Sequence, residues 1–200
     1  AEILLTGASN VWRGVELRRM EVRTTVGDGV ARLEKCSIEF PRGALGASGS
    51  VNLGTGRGSF EYHSDADLSQ FASVAGGATA GLKEWKSEMP PKLWGEAEFG
   101  WKGNQPFFWK CRLEAGQFRL GQTAYQSLSL PWVTDGSKWM VQGFQIQGSE
   151  GSLEAQLSFD GKAELKGRIR SDLDLEGLVP WLGAGAKPFR ESLELRSPPQ

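Results

Sequence analysis

Apolar and polar residues alternate with a period of two along most of this chain. The clearest stretch is 162–175, KAELKGRIRSDLDL, in which every even residue is charged and every odd one is apolar or small. Successive side chains of a strand point to opposite faces, so this pattern predicts a strand with one charged and one apolar face. A helix would mix the two sets around its circumference. The same alternation places Phe107, Trp109, Cys111, Leu113 and Ala115 against Lys110, Arg112 and Glu114. It also sets Leu153, Ala155, Leu157 and Phe159 against Glu154, Gln156 and Ser158, and Cys36, Ile38 and Phe40 against Ser37 and Glu39. Over 15–26 the apolar set slips from Val15 and Leu17 to Met20, Val22 and Val26, which predicts a bulge near Arg18-Arg19.

Turn residues separate these runs: Gly27-Asp28-Gly29, Pro41-Arg42-Gly43, Gly54-Thr55-Gly56, Gly103-Asn104, Asp135-Gly136, Gly148 to Gly151 and Asp160-Gly161. Short turns between many short strands predict a mostly antiparallel meander of roughly ten or more strands. Three stretches have helical spacing. Asp67 can cap 68–74, Thr79 can cap a helix that groups Leu82, Trp85 and Met89, and Asp174 can cap 175–182. The expected fold is all-β with a few short helices, an elongated and curled sheet.

The pattern also repeats. A shift of 108 carries Ile38, Gly43, Leu45, Ala47 and Val51 onto Ile146, Gly151, Leu153, Ala155 and Phe159, and Met20 and Val22 onto Leu128 and Leu130. A shift of 107 carries Ser64, Asp65, Asp67, Leu68 and Phe71 onto Ser171, Asp172, Asp174, Leu175 and Leu178. The chain therefore reads as two similar meander-plus-helix units, 1–89 and 90–200, forming one continuous sheet, the whole a fragment of a longer chain.

Composition narrows the chemistry. Basic and acidic residues number 23 and 24, a net charge of −1, which argues against a nucleic-acid partner. The 27 glycines among 200 residues fit a chain rich in tight turns, and the 8 tryptophans give ample apolar area to bury. One histidine, His63, sits in an alternating stretch and reads as a solvated strand residue. With Cys36 and Cys111 as the two cysteines, there is neither a metal cluster nor a nucleophile–base arrangement. The cysteines read as small buried hydrophobes, with a disulfide between them left open. No apolar run reaches the roughly 18 residues of a membrane-spanning helix. No enzyme, cofactor or metal is expected.

Two steps of similar form carry a resemblance: Gly43 to Gly49, and Gly151 to Leu157. Each precedes a strand that runs into Asp-Leu and a short apolar segment, at Asp67-Leu68 and at Asp172 to Leu182. In these features the chain resembles the β-groove region of the AsmA-like family, the TamB/YhdP-like proteins of the Gram-negative envelope. The resemblance spans roughly Val11 to Gly185 and rests on pattern and small residues. It implies a long sheet curled into an apolar groove that shields phospholipid or other acyl-chain lipids. It also implies a periplasmic location, a parent chain anchored in the inner membrane, and neighbouring β-groove segments of the same chain as partners.

On that basis the expected groove lining is Phe107, Trp109, Leu113, Leu153, Leu157, Phe159, Leu165 and Ile169. Alternation alone shows only that this face avoids water. An ordinary closed core in a structural spacer therefore remains an open reading. So does a glycan-binding module built on Trp85, Trp94, Trp101, Trp132 and Trp139. The basic residues of 162–170 read as a solvated strand face that discourages edge pairing.

Overall fold

A computed structural model describes residues 1–71, 84–100, 107–160 and 165–173. These residues form thirteen strands of one antiparallel, curled sheet. The strands are β1 (Glu2–Trp12), β2 (Val15–Gly27), β3 (Val30–Glu39), β4 (Ala44–Asn52), β5 (Arg57–Ser64), β6 (Trp85–Ser87) and β7 (Lys92–Gly100). They continue with β8 (Phe108–Ala115), β9 (Phe118–Leu120), β10 (Thr123–Thr134), β11 (Trp139–Gly148), β12 (Ser152–Phe159) and β13 (Leu165–Ser171). Eleven strands follow the order β1-β2-β3-β4-β5-β7-β8-β10-β11-β12-β13, while β6 and β9 pair with each other and β9 also pairs with β10. The expected all-β, curled antiparallel architecture is therefore what the chain adopts.

Registers place the alternation in rows that cross the whole sheet. One row runs Leu5, Val22, Cys36, Ala47, Tyr62, Gly95, Cys111, Trp132, Val141, Leu157, Gly167, each residue directly opposite the next. A second runs Ile3, Thr24, Leu33, Gly49, Phe60, Ala97, Trp109, Thr134, Trp139, Phe159, Leu165. Neither row holds a charged side chain. The opposite face carries the charges, with Lys35 paired to Glu21 and Lys110 to Glu96.

Turn chemistry sets the hairpins. Asp28 and Gly29 both have positive φ, 50° and 71°, which matches the right-handed twist of the flanking β2 and β3. The slip in β2 is absorbed across the ladder: Ser9 of β1 takes φ 52°, and its step opposite Arg18 is missing from the β1–β2 register. Val15 and Leu17 thereby reach the small core formed with Phe40 and Ala66, while Met20 and Val22 hold the main rows.

The 108-residue shift is also geometric. It carries the first residues of β2, β3, β4 and β5 (15, 30, 44 and 57) to 123, 138, 152 and 165, and β10 to β13 begin at 123, 139, 152 and 165. A clasp recurs with it, its first residue shifted by 108 and its aspartate by 107. Ala44 N–H donates to Asp65 Oδ1 at 2.7 Å, and Asp65 N–H donates back to the Ala44 carbonyl at 3.0 Å. Ser152 N–H donates to Asp172 Oδ1, and Asp172 N–H donates to the Ser152 carbonyl at 3.1 Å. The Ser152 N–H bond holds the Asp172 carboxyl below the ordinary aspartate range.

The helical expectations fare differently. Asp67 does cap a turn, its Oδ1 accepting from Ser69 N–H at 3.0 Å, but the turn is a 3-10 segment over Leu68–Phe71. An ion pair with the exposed Arg42 anchors the buried Asp67 from the other side. Trp85, expected on a helix capped by Thr79, instead lies on β6, where the backbone pairs with Leu120 and the indole is buried. Its packing against β9 overrides the helical spacing. Thr79, Leu82 and the third expected helix, 175–182, lie outside the described residues.

The clasp glycine gives a test. At Gly43, φ is 92° and an added Cβ would sit 2.2 Å from the Asp65 carbonyl oxygen. Gly143 also has positive φ, 79°, but opens onto free space. Gly43→Ala is expected to cost more than about 2 kcal/mol in urea unfolding, and Gly143→Ala about 1 kcal/mol.

Candidate functional site

The uncharged rows form the walls and floor of an apolar trough, and its two sides differ in cover. On one side β6 and β9 form a short ladder, a strap, that extends the sheet alongside β10. The Trp85 ring stacks on Phe118 with centroids 4.4 Å apart, and Phe118 stacks on Tyr125 at 5.0 Å. Together with Leu120 they bury Leu113, Ala115, Leu128, Ile146, Leu153 and Ala155. This is a closed core.

On the other side, among the described residues, the row through Trp109 has large side chains that nothing covers. Phe107, Trp139 and Phe159 expose 40%, 43% and 37% of their surface, which is high for large apolar side chains. Trp109 lies among them at 6.1 Å from both Trp132 and Trp139, edge to face. These rings close over Thr134, which is fully buried between Trp109 and Trp139 in the row. Edge-to-face geometry is the favoured one for aromatic pairs, so these rings stabilise one another where they stand.

One polar group is set into the floor. Trp109 Nε1–H donates to the Tyr62 hydroxyl at 2.6 Å. Burial, with the neighbouring Cys111 thiol, pushes the Tyr62 phenol well above its ordinary range, so it stays neutral at any physiological pH. Burial likewise raises the thiols of Cys36 and Cys111, which are both free. Neither is set up as a nucleophile.

The eight expected lining residues therefore divide. Leu113 and Leu153 belong to the closed core beneath the strap. Leu157 and Ile169 are half-buried at its margin. Phe107, Trp109 and Phe159 lie on the uncovered side, and Leu165 holds the end position of their row, opposite Phe159. Sequence reasoning missed Phe60, Phe99 and Val141 on the same face, and it missed the strap. Phe60 lies 5.9 Å from Tyr62 and 6.1 Å from Phe99. The alternation Phe118-Arg119-Leu120 was the available signal for β9.

The tryptophans are dispersed. Trp85 is core, Trp109, Trp132 and Trp139 line the trough, and Trp94 stands on the charged face with the Arg112 guanidinium 5.9 Å from its centroid. Trp101 lies outside the described residues. His63 is exposed on the charged face. Among the described residues no group of three or more His, Cys, Asp or Glu could hold a metal ion, and no helix is long and apolar enough to cross a membrane.

No family model, curated protein or solved structure matches this chain.

Two outcomes test this division. Leu113→Ala and Leu153→Ala, which empty space in the closed core, are each expected to cost about 2–5 kcal/mol in chemical unfolding, whereas Phe159→Ala should cost less than about 1 kcal/mol. The turn that presents Trp139 is pH-dependent. Asp135 Oδ1 accepts from the Ser137 hydroxyl and from Ser137 and Lys138 N–H, and these bonds lower its pKa to about 2. A carboxyl held low favours the turn above the ordinary aspartate range, and that contribution is lost as pH falls through about 2. The Ser137 and Lys138 amide resonances should therefore hold their positions down to pH 3 and move below it. The Asp135→Asn variant should lack this transition.

Proposed function

We propose that this chain is a segment of an envelope lipid-transport protein whose apolar β-groove shields phospholipid acyl chains between the inner and outer membranes. The observation that carries the reading is the pair of uncharged rows, unbroken across eleven strands, with large aromatic side chains left uncovered on one side. Acyl chains would lie against Phe107, Trp109, Trp139, Leu157 and Phe159, gaining about 0.8 kcal/mol for each buried methylene. Head groups would remain in water at the trough mouth. The action is passive and non-catalytic, with no cofactor.

The edges of the sheet support the partner reading. β1 presents an unpaired edge with Ile3, Leu4, Leu5 and Val11 exposed by 51–66% and with neither Lys nor Pro to guard it. Such an edge invites pairing with a further strand, here a neighbouring β-groove segment of the same parent chain. The net charge of −1 gives no footprint for nucleic acid. The location that goes with this reading is the periplasm, with the parent anchored in the inner membrane.

One observation favours a second reading. The strap closes half of the face as an ordinary core. A structural spacer would need no open half, so occupancy of the open half decides between the two.

Photo-crosslinking residues placed at Trp139, Leu157 and Phe159 in cells should yield lipid adducts, while the same probe at Lys110 or Glu154 on the charged face should yield none. Lipid adducts absent from all three trough positions would rule the transport reading out in favour of the spacer.

A further inference from the structure

The strap carries a second feature, on the side away from its ring stack. Lys86 of β6 and Arg119 of β9 are direct partners in their ladder, with Ala124 of β10 next in the row. All three are exposed, whereas Trp85, Phe118, Leu120 and Tyr125 of the same strands are buried. Like charges directly opposite each other destabilise a ladder. Elsewhere on the sheet cations have carboxylate partners, as in Lys35–Glu21, Lys110–Glu96 and Arg112–Glu114. Among the described residues neither Lys86 nor Arg119 has a carboxylate within 4.0 Å. Arg119 donates to the Gln122 carbonyl at 3.3 Å, which orients the guanidinium without neutralising it.

The two cations line a cavity of about 520 Å³ at the end of the strap. That volume lies within the roughly 300–1,000 Å³ of small-molecule sites. Glu88 shares its rim, two residues along from Lys86, while the rings of Phe118 and Tyr125, which also border it, are buried on the other face of the strap. Glu84 flanks Lys86 on its other side, exposed. The cavity thus combines a pair of cations with no carboxylate partner among the described residues and a carboxylate at a short distance along the chain.

We propose that this cavity is a head-group site for a phosphoethanolamine-type amphiphile. The phosphate diester would lie between Lys86 and Arg119, accepting charge-assisted hydrogen bonds from both. The primary ammonium would face Glu88. The single negative charge of the phosphate diester would relieve the repulsion across the β6–β9 ladder, and Glu88 would balance the ammonium. This rests on the lipid reading only in the class of ligand, because the site lies on the strap and not in the open half of the trough.

The test uses the full chain and three soluble probes: dihexanoyl-phosphatidylethanolamine and dihexanoyl-phosphatidylglycerol, both below their micelle concentrations, and inorganic phosphate. Binding is followed by calorimetry and by amide shifts at 86–88 and 117–119. The ethanolamine lipid should bind tightest and phosphate alone weakest. Lys86→Ala with Arg119→Ala should weaken it about tenfold or more, Lys86→Arg should keep it, and Glu88→Gln should reduce the ethanolamine lipid to the level of the glycerol lipid. These side chains are exposed, so far-UV circular dichroism should not change. Undiminished binding in the double variant overturns the site. Phosphate binding as tightly as the ethanolamine lipid, or no effect of Glu88→Gln, overturns the head-group assignment. Trough crosslinking lost with this binding intact counts against the transport reading alone, and the converse counts against this site alone.

Discussion

Water cannot satisfy an apolar surface, and this chain builds one that runs across eleven hydrogen-bonded strands. The rows through Tyr62 and through Trp109 stay uncharged because the ladders keep strict register from β1 to β13, apart from local shifts. A single uncorrected slip would turn a strand's charged face inward. The slip that does occur, in β2, is answered on the neighbouring strand by the left-handed conformation of Ser9. The backbone ladder thus dictates where the apolar surface lies, and everything else answers the question of what covers it.

Two devices answer part of that question. The strap of β6 and β9 sets the stacked rings of Trp85 and Phe118 against one side of the face and makes a true core there. The Gly43/Asp65 and Gly151/Asp172 clasps tie hairpin ends to the strands that follow, using the same backbone–carboxylate bonds 107 to 108 residues apart. Neither device reaches the aromatic row through Trp109, Trp139 and Phe159. Covering three large, partly exposed aromatic side chains is worth several kcal/mol, at about 25 cal/mol for each Å² of apolar area removed from water. The rings of Trp109, Trp132 and Trp139 pack edge to face, the arrangement aromatic pairs favour, and among the described residues that surface stays partly exposed.

Much of the fold was legible in the sequence because a period of two records the sheet's faces directly. Phe107 to Ala115 and Leu153 to Phe159 lie on the predicted faces, and the turn at Asp28-Gly29 has the backbone its residues demand. What alternation does not encode is cover. Leu113 and Phe159 have the same sequence signature, yet one is sealed by Trp85 and Phe118 while the other faces the opening. The sealing residues sit on strands of three residues, where an alternation as brief as Phe118-Arg119-Leu120 does not stand out from chance. Trp85 was misread as helical for the same reason: its spacing to Leu82 and Met89 fits a helix, and only the distant Phe118 makes a strand the better state. The Tyr62–Trp109 bond, spanning 47 residues, is likewise a product of register and invisible to local pattern.

The central claim is that the aromatic side of the trough is open to an acyl chain while the strapped side is not. Paramagnetic relaxation from a fatty acid carrying a nitroxide near its methyl end would measure this on the folded chain in solution. The account predicts strong broadening of the side-chain signals of Trp139, Leu157 and Phe159, with Leu128 and Ile146 beneath the strap and Lys110 on the charged face unaffected. Equal broadening on both faces of the sheet, or none at Trp139 and Phe159, would contradict it.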